Sequence, residues 1–143
     1  MSTRLRVTES QLQDLLNEVA FTRNFGFHVH SLNDGECTLS VPFQPDFERP
    51  GGVVSGQVFM AAADAAMWLA IMTRLGMEEN ALTVELKTNF LGAARREDIL
   101  CTARILKQGQ RLIYGVAECR NRQDKLLTHH TITYIRPANK TSS

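Results

Sequence analysis

The chain has 143 residues, 43% of them hydrophobic and 22% charged, with 16 basic and 15 acidic side chains and a formal net charge of +1. That length holds one domain with one core, residues 1–143, and the composition is that of a soluble globular protein rather than a disordered chain. The charges are spread along the sequence with no basic block, so no nucleic-acid partner is expected.

Residues 1–7 carry Arg4 and Arg6 without a following apolar run, so no signal peptide is expected. Thr8 followed three residues later by Gln11 is a capping box. Leu12, Leu15, Leu16 and Val19 then recur at helical spacing, which predicts a short amphipathic helix over about 8–23. Phe25 to Leu32 reads as a strand, with Asn33-Asp34-Gly35 as a hairpin turn. Cys37, Leu39, Val41 and Phe43 alternate with smaller or polar residues, giving a second strand with one buried face. Pro45, Pro50, Gly51 and Gly52 mark 44–54 as an irregular loop.

From Ser55 to about Leu75 strict alternation stops, and the alanine and methionine content predicts one long helix capped by Gly76. It is apolar nearly all round, so other structure must wrap it. Its apolar core, Val58 to Met72, is interrupted by Asp64 and reads as too short to cross a bilayer, so no membrane partner is expected. Four alternating runs follow, at Leu82–Phe90, Asp98–Leu106, Arg111–Arg120 and Lys125–Ile135. Turn residues at 109–110 and 121–124 predict that these four strands form an antiparallel meander. Residues 138–143 read as a polar tail.

One long helix and a mostly antiparallel sheet of about six strands bury each other only if the sheet curls around the helix. The expected fold class is therefore α+β of the hotdog type. One helix cannot cover six strands, so leftover apolar surface predicts a homodimer or homotetramer. Cys37, Cys101 and Cys119 show no ligand spacing and fall in strands, which predicts reduced, half-buried core thiols in a cytoplasmic protein.

Between Gly51 and Thr73 the one charged residue is Asp64. A carboxylate on an apolar helix must face solvent, find a partner, or sit in a cleft that uses it. Ahead of it, Gly51 to Gln57 lets the backbone approach a ligand closely, and the free N–H groups of the helix's first turn suit a developing oxyanion. Ser55 fits the N-cap of that helix rather than a nucleophile, because no G-x-S-x-G elbow is present.

The run from Arg49 to Asp64 resembles the glycine-rich segment and aspartate of hotdog thioesterases related to the phenylacetic-acid-pathway and 4-hydroxybenzoyl-CoA enzymes. Leu82 to Leu91 resembles the strand that follows in that family, and Ile105 to Gln110 its next hairpin, so the resemblance spans roughly 15–137. It implies acyl-CoA hydrolysis without a cofactor. Asp64 would act as general base or nucleophile, Gly56 would polarise the thioester carbonyl, and Thr83 would help hold the attacking water. It also implies a site between two subunits, with Gly56 of one chain facing Asp64 of the other.

Three positions depart from the family pattern. Ser55 and Gln57 stand where its His and Gly are usual, and Arg49 stands where a polar residue, often Asn, is usual. Arg49, Ser55 and Gln57 thus become the candidate substrate contacts, and a non-catalytic acyl-CoA-binding or sensing protein is the alternative reading. A hydratase on this fold needs a His five residues after the Asp; position 69 is Leu. His28 and His30 on one strand face lack a third ligand, so no metal is expected, and His129 and His130 point to opposite faces. Phe59, Met60, Met67, Trp68 and Phe90 are candidate pocket or core residues. Arg95 and Arg96 read as a solvated turn before a CoA-phosphate contact.

Overall fold

The computed structural model describes residues 4–138, so the tail residues 139–143 lie outside the described residues. Thr8 caps α1 (Glu9–Glu18) as expected, accepting from the Gln11 N–H at 3.1 Å while Gln11 Oε1 accepts from the Thr8 N–H at 3.0 Å. Leu12 and Leu16, one turn apart, bury the inner face. The single helix expected to residue 23 is instead two. Val19 leaves the helix at φ −75° and ψ 118°, and α2 (Ala20–Phe25) starts anew. The Thr22 hydroxyl donates to the Leu16 carbonyl at 2.8 Å, satisfying a group that a continuous helix would have bonded to the N–H of residue 20.

Gly26 ends α2 at φ +68°, so the strand expected from Phe25 begins only at His28. β1 (His28–Asn33) and β2 (Glu36–Val41) form the expected hairpin around Asp34-Gly35. The loop at 44–54 is more ordered than expected. It holds a 3-10 turn at Pro45–Phe47 and a small ladder of β3 (Glu48–Arg49) with β4 (Val53–Val54).

α3 (Gly56–Leu75) runs through the concave side of the sheet with Ser55 as its N-cap and Gly76 as its C-cap. Its 20 residues are long and apolar enough to cross a membrane, which corrects the reading of this segment as too short, but two thirds of its apolar window is buried inside the fold. It is a core helix. Gly115 is what lets it seat closely, because a Cβ there would meet both Met67 of α3 and the Arg104 carbonyl.

β5 (Leu82–Phe90), β6 (Ile99–Gln108), β7 (Leu112–Arg120) and β8 (Leu126–Ile135) complete a six-stranded sheet in the order β1-β2-β6-β7-β8-β5, antiparallel throughout. The four-strand meander is therefore only three strands long. The joints at Gly109 and at Asn121–Asp124 are hairpins, whereas residues 91–98 carry the chain across the sheet from β5 to β6. β5 ends up paired with β8 alone, and its outer edge exposes Leu82 (65%), Val84 (54%) and Phe90 (55%).

The three cysteines lie on β2, β6 and β7 in the middle of the sheet, facing α3. They are free, and fully rather than half buried. Burial, aided by Glu36, pushes the Cys37 thiol up to about 12.

Candidate active site

Asp64 sits midway along α3, where the helix stripe Gln57, Met60, Ala61, Asp64, Ala65 and Trp68 faces a cleft of about 780 Å³ rather than the core. These positions follow the three-four spacing of one helical face. The opposite wall comes from Leu82, Thr83 and Leu86 of β5 and Tyr134 of β8, and one end is covered by Phe21 and Phe25 of α2. The cleft is mostly apolar with a few convergent polar groups, which is the usual make-up of a small-molecule site.

Two hydroxyls meet the carboxylate. Thr83 Oγ1 donates to Asp64 Oδ1 at 2.7 Å, and the Tyr134 hydroxyl lies 2.7 Å from the same oxygen and 3.0 Å from the Asp64 carbonyl. Both come from one rung of the sheet, since Thr83 and Tyr134 are register partners across β5 and β8. Of the three options open to an acid on an apolar helix, Asp64 takes two, a cleft and partners. Burial, and then the charge of Asp64, hold the Tyr134 phenol well above the usual tyrosine range, so it stays a donor.

Gly56 opens α3, and as its first residue has no carbonyl one turn back in the helix to bond. The site tolerates no side chain without movement, because a Cβ would lie 2.9 Å from Cε1 of Phe90. The Ser55 hydroxyl accepts from the Gln57 N–H at a long 3.4 Å, a capping role. The cleft thus gathers Asp64, Thr83 and Gln57 of the sequence candidates. Gly56, Ser55 and Arg49 lie outside its lining, Arg49 being exposed on β3.

Of the apolar candidates, Met60 and Trp68 line the cleft, Phe59 and Met67 are core, and Phe90 packs on Gly56. Arg95 and Arg96 are exposed and latch the 48–52 segment: Arg95 donates to the Gly51 carbonyl at 3.0 Å and Arg96 pairs with Glu48 at 3.1 Å. His28 and His30 are exposed, His130 is buried, and no metal-holding cluster exists among the described residues.

Sequence reasoning missed Tyr134 and the α2 wall. The alternation of buried Ile132 and Tyr134 in β8 marks Tyr134 as inward-facing, but its pairing opposite Thr83 depends on a strand order that the turn signals do not carry.

Comparison with known proteins decides the family. The profile of the thioesterase superfamily matches residues 51–128, which include the glycine-rich loop, α3 and Asp64. The chain belongs to the thioesterase superfamily. A "putative esterase" of Saccharolobus solfataricus is 30% identical over 98 residues, covering 68% of this chain and 69% of that protein. A solved "putative thioesterase" from a Silicibacter strain is 28% identical with a TM-score of 0.85, covering 96% of this chain and 97% of that one. A "hypothetical thioesterase protein" of Streptococcus pneumoniae, solved with coenzyme A, shares the fold at 13% identity and a TM-score of 0.71, over 80% of this chain and 88% of that chain. Membership makes this protein a hydrolase of the thioester and ester class.

Proposed function

We propose that this thioesterase-superfamily protein hydrolyses an acyl-CoA thioester at a site shared by two copies, with Asp64 as the base that activates water. The observation that carries this reading is the Asp64 carboxylate, set in the wall of an apolar cleft with two hydroxyls 2.7 Å from one of its oxygens. Asp64 takes a proton as the water oxygen attacks the thioester carbonyl. Backbone N–H groups at the head of α3, Gly56 first, meet the oxyanion that forms. Collapse breaks the C–S bond, and the proton passes from Asp64 to the departing thiolate, giving free acid and CoA. Gln57 reaches the substrate from the cleft wall, and Arg49 meets its polar, phosphate-bearing end. Ser55 shapes the turn, and Thr83 helps hold the water. The fold of the Streptococcus protein accommodates coenzyme A, in keeping with this substrate class.

Sharing between copies follows from helix geometry. Gly56 and Asp64 are eight residues apart on one helix, about 12 Å along its axis. No single carbonyl spans that gap, because each group must come within about 3 Å of the reacting atoms. A neighbouring copy related by a two-fold axis brings its own Gly56 opposite this Asp64. The unpaired β5 edge with its exposed Leu82 and Val84 favours such association, as a dimer or a dimer of dimers.

The test is thiol release from a panel of acyl-CoAs by the wild type, Asp64→Asn and Asp64→Ala. Turnover of at least one ester by the wild type and near-background rates for both variants are expected. Tight binding of CoA esters with no thiol released would place the protein in the non-catalytic binding class instead.

A further inference from the structure

We propose that Tyr134 is a positioning residue: with Thr83 it holds one carboxylate oxygen of Asp64, leaving the other oxygen to take the proton of the attacking water. The inference rests on Asp64 as the base and adds how that base is aimed. The β5–β8 register sets Thr83 opposite Tyr134, and their hydroxyls converge on Oδ1 at 2.7 Å each. Tyr134 has one proton to give, and the carboxylate contact is shorter than the 3.0 Å contact to the Asp64 carbonyl. Hydrogen bonds to a charged acceptor are short and strong, so the proton belongs to Oδ1.

No bond among the described residues engages Oδ2. The two carboxylate oxygens are therefore unequal, one tied to the sheet and one available to the cleft. Tyr134 is only 4% exposed, so packing in the fold rather than solvent holds its hydroxyl against Asp64.

Other charges do not compete for this role. Among the ionisable residues lining the cleft, the one besides Asp64 and Tyr134 is Glu79, which pairs with Arg136 at 3.0 Å. On β5, Glu85 and Lys87 are in register with Thr133 and Thr131, on the sheet face away from α3. α2 contributes apolar residues and Thr22 to the lining, and α3 contributes no second ionisable group to it.

The experiment measures kcat and KM for the wild type, Tyr134→Phe and Asp64→Asn. Tyr134→Phe is expected to lower kcat roughly tenfold, with KM little changed. An unchanged kcat, or a rise in KM that accounts for the whole loss of kcat/KM, would reduce Tyr134 to packing and overturn the proposal. Full activity in Asp64→Asn would overturn the underlying reading of the base, a separate result. A second measurement stands apart from turnover and from the folding of Tyr134→Phe. The chain has two tyrosines, so 3-fluorotyrosine incorporated into a Tyr114→Phe background labels Tyr134 alone. Its fluorine resonance is expected to shift when Asp64→Asn is added, because the acceptor of the phenol loses its charge. A resonance unmoved by Asp64→Asn overturns the proposal.

Discussion

Replacing Gly56 with Ala adds one methyl group at the head of α3, and its consequences for stability and for activity separate cleanly. A Cβ at this position lies 2.9 Å from Cε1 and 3.0 Å from Cζ of Phe90. The ring is not locked in place: it is 55% exposed and meets the core through an edge contact with Phe59, with centroids 6.5 Å apart. Swinging outward forfeits about 0.5–1.5 kcal/mol of aromatic contact. At the first residue of α3, alanine regains only part of the roughly 0.5–1 kcal/mol that it gains over glycine in a helix interior. The two partly offset, so Tm is expected to fall by no more than about 6 °C. Activity has no such compensation, because the methyl group and the displaced ring stand beside the N–H groups that meet the carbonyl in the proposed mechanism. A misplacement of this kind is expected to lower kcat/KM roughly 10- to 100-fold. Thiol release and a thermal melt on the same preparation read both quantities. Activity within about twofold of wild type would refute the placement of the carbonyl at the first turn of α3.

Acid stability and thiol access give two further checks. Asp98 accepts from the Phe43 N–H at 2.8 Å and from Arg122 at 2.8 Å; the backbone bond above all, with help from Arg122, pulls it below its ordinary 3.8 against the opposing effect of burial. A depressed folded-state value means that its contribution is complete above about pH 4 and is lost as pH falls through the folded value. Denaturant melts of Asp98→Asn should therefore lose less stability than the wild type as pH falls below about 4; parallel losses would show that Asp98 contributes nothing. Cys37, Cys101 and Cys119 are inaccessible in the folded chain, so a disulfide thiol reagent should label none of them until denaturant is added, when all three react. Labelling of the native protein would contradict the packing of the sheet centre.

The elements and their order were legible because each is set by local rules. The capping box at Thr8, the turn at Asp34-Gly35 and the helix bounded by Ser55 and Gly76 are all read from neighbouring residues. What failed was non-local. The break at Val19 depends on Thr22 reaching back to the Leu16 carbonyl, and the crossing of residues 91–98 depends on which sheet edge is free when β5 leaves α3. The site divides the same way. Asp64 stands out as a lone charge in an apolar run, and Gly56 and Thr83 follow by resemblance. Tyr134 is hidden, because its role exists only through the pairing of β5 with β8.

The shared site is tested most directly by mixing two disabled proteins. Asp64→Asn and Gly56→Ala chains are denatured together, refolded, and assayed for acyl-CoA hydrolysis beside each variant refolded alone. If Asp64 of one copy works with Gly56 of the other, each mixed dimer keeps one intact pair, and the mixture should recover about a quarter of wild-type activity. Activity no higher than the mean of the two variants, in a mixture shown to contain mixed dimers, would mean that both groups act within a single chain or not at all.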